Sequence, residues 1–140
     1  MLCSYLAGVA APATFYMALV TDSVVPDADT NTMSDLDEIP AGNGYTSGGL
    51  AVARNTTDWD TRTEDDTGNT GLAQTKDLTW TASGGNLPPS GTGARYAVLT
   101  TDEAAVADRQ IVAWFNLGSN RIMTVGYDLT LQNCEVRLTE

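Results

Sequence analysis

The chain reads as an all-β protein: a single-domain β-sandwich, jelly-roll-like, of about seven or eight short strands with long polar loops. Three observations predict it. Apolar residues alternate with polar ones in short runs such as "KDLTWTA" (Lys76 to Ala82). Turn-forming Gly, Pro, Asn and Asp punctuate those runs. No long stretch carries the period of an amphipathic helix.

The first strand is "TFYMALVT" (Thr14 to Thr21). Phe15, Met17 and Leu19 fall on one face and Tyr16, Ala18 and Val20 on the other. Both faces are apolar, as in a strand buried on two sides. Val24, Val25 and Pro26 end it, and an acidic loop follows. "SDLDEIP" (Ser34 to Pro40) predicts one short helical turn, with Ser34 as cap, Asp37 in the capping-box position and Pro40 as the stop. Gly42, Gly44, Gly48 and Gly49 mark turns ahead of a short strand, Leu50 to Ala53. Asn55 to Ala73 is polar and acidic around Trp59, and reads as a long loop with room for one edge strand. Leu78, Trp80 and Ala82 then alternate with Asp77, Thr79 and Thr81 in a half-buried strand. Ser83 to Gly93, "SGGNLPPSGTG", is an irregular Gly/Pro loop. "ARYAVLTT" and "RQIVAWFNL" are apolar strands joined by the acidic link "DEAAVAD". "GSN" (Gly118 to Asn120) signals a hairpin turn. "RIMTVGYDLTLQ" and "CEVRLT" close the chain as strands. Trp80, Tyr96, Trp114 and Phe115 lie within strands, so core packing is their expected role.

The 140 residues suit one domain, 1–140, and 42% apolar residues are enough for a real core. A short apolar N-terminal arm over about residues 1–13 opens it. "MLCSYLAGVAAPA" has no Lys or Arg ahead of its apolar run, unlike a secretory signal, and is too short to span a bilayer.

Seven Lys plus Arg against eighteen Asp plus Glu give a net charge of −11. Such a chain repels phosphate backbones and anionic lipid, so neither nucleic acid nor membrane is an expected partner. The charge keeps the chain soluble in a crowded setting. There is no histidine, which removes the commonest general base and every Ser-His or Cys-His nucleophile arrangement. Cys3 and Cys134 stand near opposite ends with no CxxC motif, so no structural zinc is expected and both read as reduced thiols.

Two acidic clusters are candidate sites. In "DADTNTMSDLDE", Asp27, Asp29, Asn31, Asp35 and Glu38 fall at positions one, three, five, nine and twelve of a calcium loop. Thr32 stands where that loop needs its glycine, Ser34 where it needs an apolar anchor, and Pro26 follows a strand in place of the incoming helix. The run reads as an acidic surface loop, with calcium in a non-helical loop as the alternative. The second cluster is Asp58, Asp60, Glu64, Asp65 and Asp66 around Trp59. Paired carboxylates beside an aromatic suit a glycoside hydrolase, but these crowd one loop and read as a solvated or partner-contact face. No G-x-S-x-G elbow or phosphate loop is present. No catalytic, cofactor-binding or metal-ligating residue is assigned, and a non-enzymatic protein is expected.

"ATFYMALVTDSVVPDADTNTMSDLDEIPAGNGYTSGGLAV" resembles the opening of a family of small tailed-bacteriophage virion structural proteins. "LTWTASGGNLPPSGTGARYAVLTTD" and "AWFNLGS…TVGYDLTLQ" resemble the same family, so the likeness spans nearly the whole chain. Members are labelled head decoration, cement or tail fibre proteins. The resemblance implies a β-sandwich part of a phage particle and carries no shared active site. One domain without repeats or shaft favours a small subunit on a larger lattice. The negative charge favours the outer surface of the virion over a DNA-filled lumen, with assembly in the host cytoplasm. The expectation is an outer capsid decoration or cement subunit. Its partners are the major capsid protein or other virion proteins, and its own copies in a homo-oligomer, a trimer being the guess. The alternatives are a tail or neck accessory or fibre protein, and a carbohydrate-binding receptor-recognition module resting on an exposed Trp59. Loops Pro26–Pro40, Asn55–Ala73 and Ser83–Gly93, with the N-terminal arm, are the expected contact segments.

Overall fold

The computed structural model describes residues 11–139, so most of the expected N-terminal arm, Cys3 included, lies outside the described residues. Nine strands run in chain order: β1 (Thr14–Val20), β2 (Leu50–Ala53), β3 (Thr61–Asp65), β4 (Thr70–Gln74), β5 (Leu78–Thr81), β6 (Ala94–Thr100), β7 (Ile111–Arg121), β8 (Asp128–Leu131) and β9 (Glu135–Thr139). They pair as a four-stranded sheet β2-β1-β6-β7, a three-stranded sheet β3-β4-β9 and a two-stranded sheet β5-β8. Every pairing is antiparallel. The class is the all-β sandwich-like single domain that the alternation predicts.

The register explains why β1 is apolar on both faces. Phe15 pairs with Val52, Met17 with Leu99, Leu19 with Ala97, and Ala97 with Phe115. That inner face packs against Leu78 and Trp80 of β5 and Leu131 of β8, forming the main core. Ala18 pairs with Val98 and Val98 with Trp114, while Val20 pairs with Tyr96 and Tyr96 with Asn116. Those residues form the outer face, where Ala18, Val20, Tyr96 and Val98 pack with Met33 in a second cluster. Each fully buried side chain of Leu, Val or Met size contributes about 1.5–3 kcal/mol. The four-stranded sheet thus carries a core cluster on each face.

Four expectations need correction. The polar stretch 55–73 is not a loop with one strand: β3 and β4 form a hairpin there, paired from Thr61–Gln74 to Asp65–Thr70. Its residues are mostly exposed, so the apolar alternation that reveals a half-buried strand is missing. The "GSN" signal is not a hairpin turn, because β7 continues through it to Arg121. Gly118 keeps a positive φ of 79°, and the β6–β7 pairing shifts register between Ala94 and Tyr96. The glycine therefore stands in an irregular stretch of a long strand. The helical turn starts earlier, at Met33–Asp35, with Thr32 as its cap. Asp35 reaches back to the Thr32 N–H at 2.9 Å, the capping role expected of Asp37. Asp37 instead accepts from the Thr21 and Ser23 hydroxyls. The Gly/Pro loop is not wholly irregular, since Leu87 is fully buried and exchanges two backbone hydrogen bonds with Met123, both at 2.9 Å.

Candidate functional site

The half-buried and buried ionisable groups hold the fold together. Glu38 accepts hydrogen bonds from the Tyr45 hydroxyl at 2.7 Å, the Ser47 hydroxyl at 2.8 Å and the Gly48 N–H at 2.5 Å. The same Tyr45 oxygen accepts the Leu19 N–H at 3.0 Å, tying "EIPAGNGYTSGG" to β1. Burial, and then the Glu38 charge, push the Tyr45 phenol well above its ordinary range. Arg109 donates to the carbonyls of Glu103 and Gly48 and stacks 3.9 Å from the Tyr16 ring centre. Two glycines make this packing possible. A Cβ on Gly49 would lie 1.9 Å from the Met17 carbonyl oxygen, and one on Gly44 would lie 2.0 Å from that of Thr81.

The acidic clusters do not converge. Asp27 accepts the N–H groups of Asp29 and Thr30, closing a turn. Asp35 accepts those of Asn31 and Thr32, which lowers its pKa. Glu38 faces Tyr45, so the calcium-loop spacing separates into three independent local arrangements. Among the described residues no three His, Cys, Asp or Glu side chains gather as a metal cage.

In the second cluster, Asp58 is not a solvated residue. It is buried, pairs with Lys76 at 2.5 Å and accepts the Ala53 N–H at 2.7 Å. The Lys76 hydrogen bond holds its carboxyl below the usual range. Trp59 is not an exposed platform: it packs edge-on to Phe15, with ring centres 5.7 Å apart, against the main core. Glu64, Asp65 and Asp66 remain exposed at the far end of the β3–β4 hairpin.

What is distinctive lies on the surface. Antiparallel pairing brings the end of β1, the start of β6, the end of β7 and the start of β8 to one end of the molecule. Asp22 fastens that end by accepting from Thr92 at 3.1 Å and Asn120 at 2.9 Å, which lowers its pKa. The loops there expose Val24, Val25, Ile122, Val125 and Tyr127, with Tyr127 at 69% and Val25 at 62% exposure. Ile122 and Tyr127 border an open groove of about 600 Å³, lined also by Leu117, Leu129, Leu131 and Arg121. Asp22, Asp37 and Asp128 at this end stand with Arg95 and Arg121, on a chain that carries −11 overall. The sequence places Ile122, Val125 and Tyr127 in the strand "RIMTVGYDLTLQ", but β7 ends at Arg121 and β8 begins only at Asp128, so the three fall in the connection between them and stay exposed.

A second groove, of about 420 Å³, lies beside β7. Residues 31–33 run along the first residues of that strand, with Ile111 N–H donating to Asn31 at 2.9 Å and Met33 N–H to Arg109 at 3.0 Å. The chain then turns away at Asp27–Thr30 and leaves Trp114 open at the groove, 42% exposed. Trp114 is thus not the core residue its strand position predicts. It stands on the outer face, beyond the reach of the second cluster.

Of the expected contact loops, Ser83–Gly93 belongs to the apolar end, Pro26–Pro40 packs over the outer face, and Asn55–Ala73 forms the exposed hairpin. Among the described residues no helix is long and apolar enough to cross a membrane. Comparison with protein-family models, with curated proteins and with solved structures returns no match for the chain.

Proposed function

We propose that this chain is a non-enzymatic structural subunit of a tailed-bacteriophage virion. In this reading it is an outer capsid decoration or cement protein that docks on the assembled shell through its apolar end. The observation that carries the reading is the exposed apolar end. Loops there expose Val24, Val25, Ile122, Val125 and Tyr127, and Ile122, Tyr127 and Arg121 border one open groove. Exposed large apolar side chains beside arginine are the composition of a protein-binding surface. A net charge of −11 suits the outside of a particle, where it keeps neighbours apart. The sequence likeness to phage virion proteins supplies the partner: the major capsid protein, with further copies of this chain as neighbours. Many copies on a symmetric shell let individually weak contacts hold by avidity.

The test uses purified protein and expanded phage shells that lack it. Binding, with a rise in the temperature at which the shells rupture, is expected. The Ile122→Asp/Tyr127→Asp variant alters only exposed side chains and should keep the parent melting temperature while losing binding. Failure of the parent protein to bind or protect shells refutes the cement reading. A copy number of hundreds per particle supports the capsid position, and about a dozen moves the protein to the tail or neck.

A further inference from the structure

The groove beside β7 has the composition of a sugar site. We propose that it binds a neutral saccharide, with Trp114 as the stacking platform and Asp27, Asn31 and Gln110 as the hydrogen-bonding rim. This groove shares no lining residue with the groove at Ile122 and Tyr127, so this inference stands or falls apart from the capsid reading.

A pyranose ring has an apolar C–H face and a rim of hydroxyls that both donate and accept. The first needs an exposed aromatic plane, and the second needs amides or carboxylates at its edge. Trp114 and Ile111 supply the apolar wall, and Asp27, Thr30, Asn31 and Gln110 line the rest. The rim is held in place by its own bonds. Asp27 Oδ1 takes the N–H groups of Asp29 and Thr30, which leaves Oδ2 for a ligand. Asn31 donates its amide to the Asp29 carbonyl at 2.8 Å, leaving its own side-chain oxygen as an acceptor. The Gln110 backbone is fixed by Thr101 Oγ1 at 2.8 Å and by its bridge to Thr32, so its side-chain amide starts from an anchored position. A rim positioned before binding loses little entropy on binding. The volume falls in the range of small-molecule sites, about 300–1,000 Å³. Asp27 lines the groove, and Asp29 and Asp35 are hydrogen-bonded to residues that line it, so the three carboxylates repel uronic or sialic acids. A neutral hexose or N-acetylhexosamine fits that field.

The experiment is a titration, by tryptophan fluorescence and calorimetry, with di- to tetrasaccharides of glucose, galactose, mannose and N-acetylglucosamine. Sialyllactose and oligogalacturonate form the acidic arm. At least one neutral member should bind with Kd on the order of 1 mM or tighter. Trp114→Ala should weaken it by about tenfold or more, and Asn31→Ala and Gln110→Ala by about threefold to tenfold each. The Asn31→Ala/Gln110→Ala pair changes only exposed or half-buried side chains, and it carries the same test should Trp114→Ala fail to fold. No neutral binding at about 10 mM, unchanged affinity in these variants, or tighter binding of the acidic arm overturns the proposal.

Discussion

Replacing Tyr45 by Phe removes one oxygen from the middle of the molecule. Tyr45 is 3% exposed, and its hydroxyl joins two elements: it accepts the Leu19 N–H at 3.0 Å and donates to Glu38 at 2.7 Å. The variant keeps the ring, so the change in packing volume is minor. It strands the Leu19 N–H on a fully buried residue and strips Glu38 of one of its three donors. An unmade buried donor costs about 1–3 kcal/mol, and a hydrogen bond to a charged group contributes about 1.5–3 kcal/mol. The two losses share one atom and overlap, which places the expected destabilisation at about 3 kcal/mol. For a chain of this size that is a fall of about 10 °C in Tm. Urea unfolding should show a lower midpoint with an unchanged m-value. Tyr127→Phe, on an exposed residue, is the control and should stay within about 0.5 kcal/mol.

The same residue gives a signature in pH. The folded phenol titrates above its ordinary value of 10.0, because burial and the Glu38 charge oppose the phenolate. Its contribution is fully present below pH 10 and declines as pH rises further, since the unfolded chain releases the proton first. Tyr45→Phe should therefore lose part of the alkaline slope of stability, read as Tm between about pH 9 and 11. A loss below about 1 kcal/mol, with an unchanged alkaline slope, would refute the bridging role.

Asp58→Ala should cost about 1–3 kcal/mol by chemical denaturation, chiefly by orphaning the Ala53 N–H. Lys76 is half exposed and recovers water. Asp58 titrates below its ordinary 3.8, so its contribution is present above pH 3.8 and lost as pH falls through the lower folded value. Asp58→Asn should flatten the acid limb of the Tm profile. Gly49→Ala places a Cβ against the Met17 carbonyl at a φ of +78°, and should cost on the order of 3–5 kcal/mol or prevent folding, read by urea midpoint and soluble yield. In a Cys3→Ser background, the Cys134 thiol is buried, with its pKa pushed up by that burial, and should react with an aromatic disulfide reagent only as the protein unfolds.

The strands that were legible are those that separate apolar from polar or are apolar throughout. The β1, β2, β5 and β6 segments announce themselves because Met17, Val52, Trp80 and Leu99 must leave water. The β3–β4 hairpin did not, because "TRTED" is held mainly by backbone pairing and a turn in which Asp65 accepts the Thr67 and Gly68 N–H groups. The sequence places the helical turn two residues late. "TNTMSDLDE" holds two cap-and-acid pairs at the same spacing, Thr32–Asp35 and Ser34–Asp37, and local sequence does not rank them. Tertiary contacts do: Met33 is buried in the second cluster, and placing it inside the first turn requires Thr32 as the cap.

Two of the three tryptophans, Trp59 and Trp114, show why function was less legible than fold. Trp59 sits among Asp and Thr and reads as exposed, while Trp114 sits in "IVAWFNL" and reads as core. The structure exchanges them. Trp59 closes onto Phe15 because the β2–β3 connection folds back, with the Asp58 carboxylate on the Ala53 N–H and the Asp58 carbonyl on the Lys76 N–H. Trp114 opens to solvent because the loop that covers the outer face turns away at Asp27–Thr30, before reaching the β7 edge. Neither event is local. Each depends on a contact between segments that sequence alone does not pair, and strand alternation reports which face a residue occupies without reporting what covers that face. The exposed apolar end follows the same rule. Val24, Val25, Ile122, Val125 and Tyr127 are scattered over a hundred residues, and the antiparallel order of β1, β6 and β7 brings the loops that carry them to one end. For this chain the sequence pattern encodes burial, and the proposed contacts rest on the apolar side chains that topology leaves uncovered.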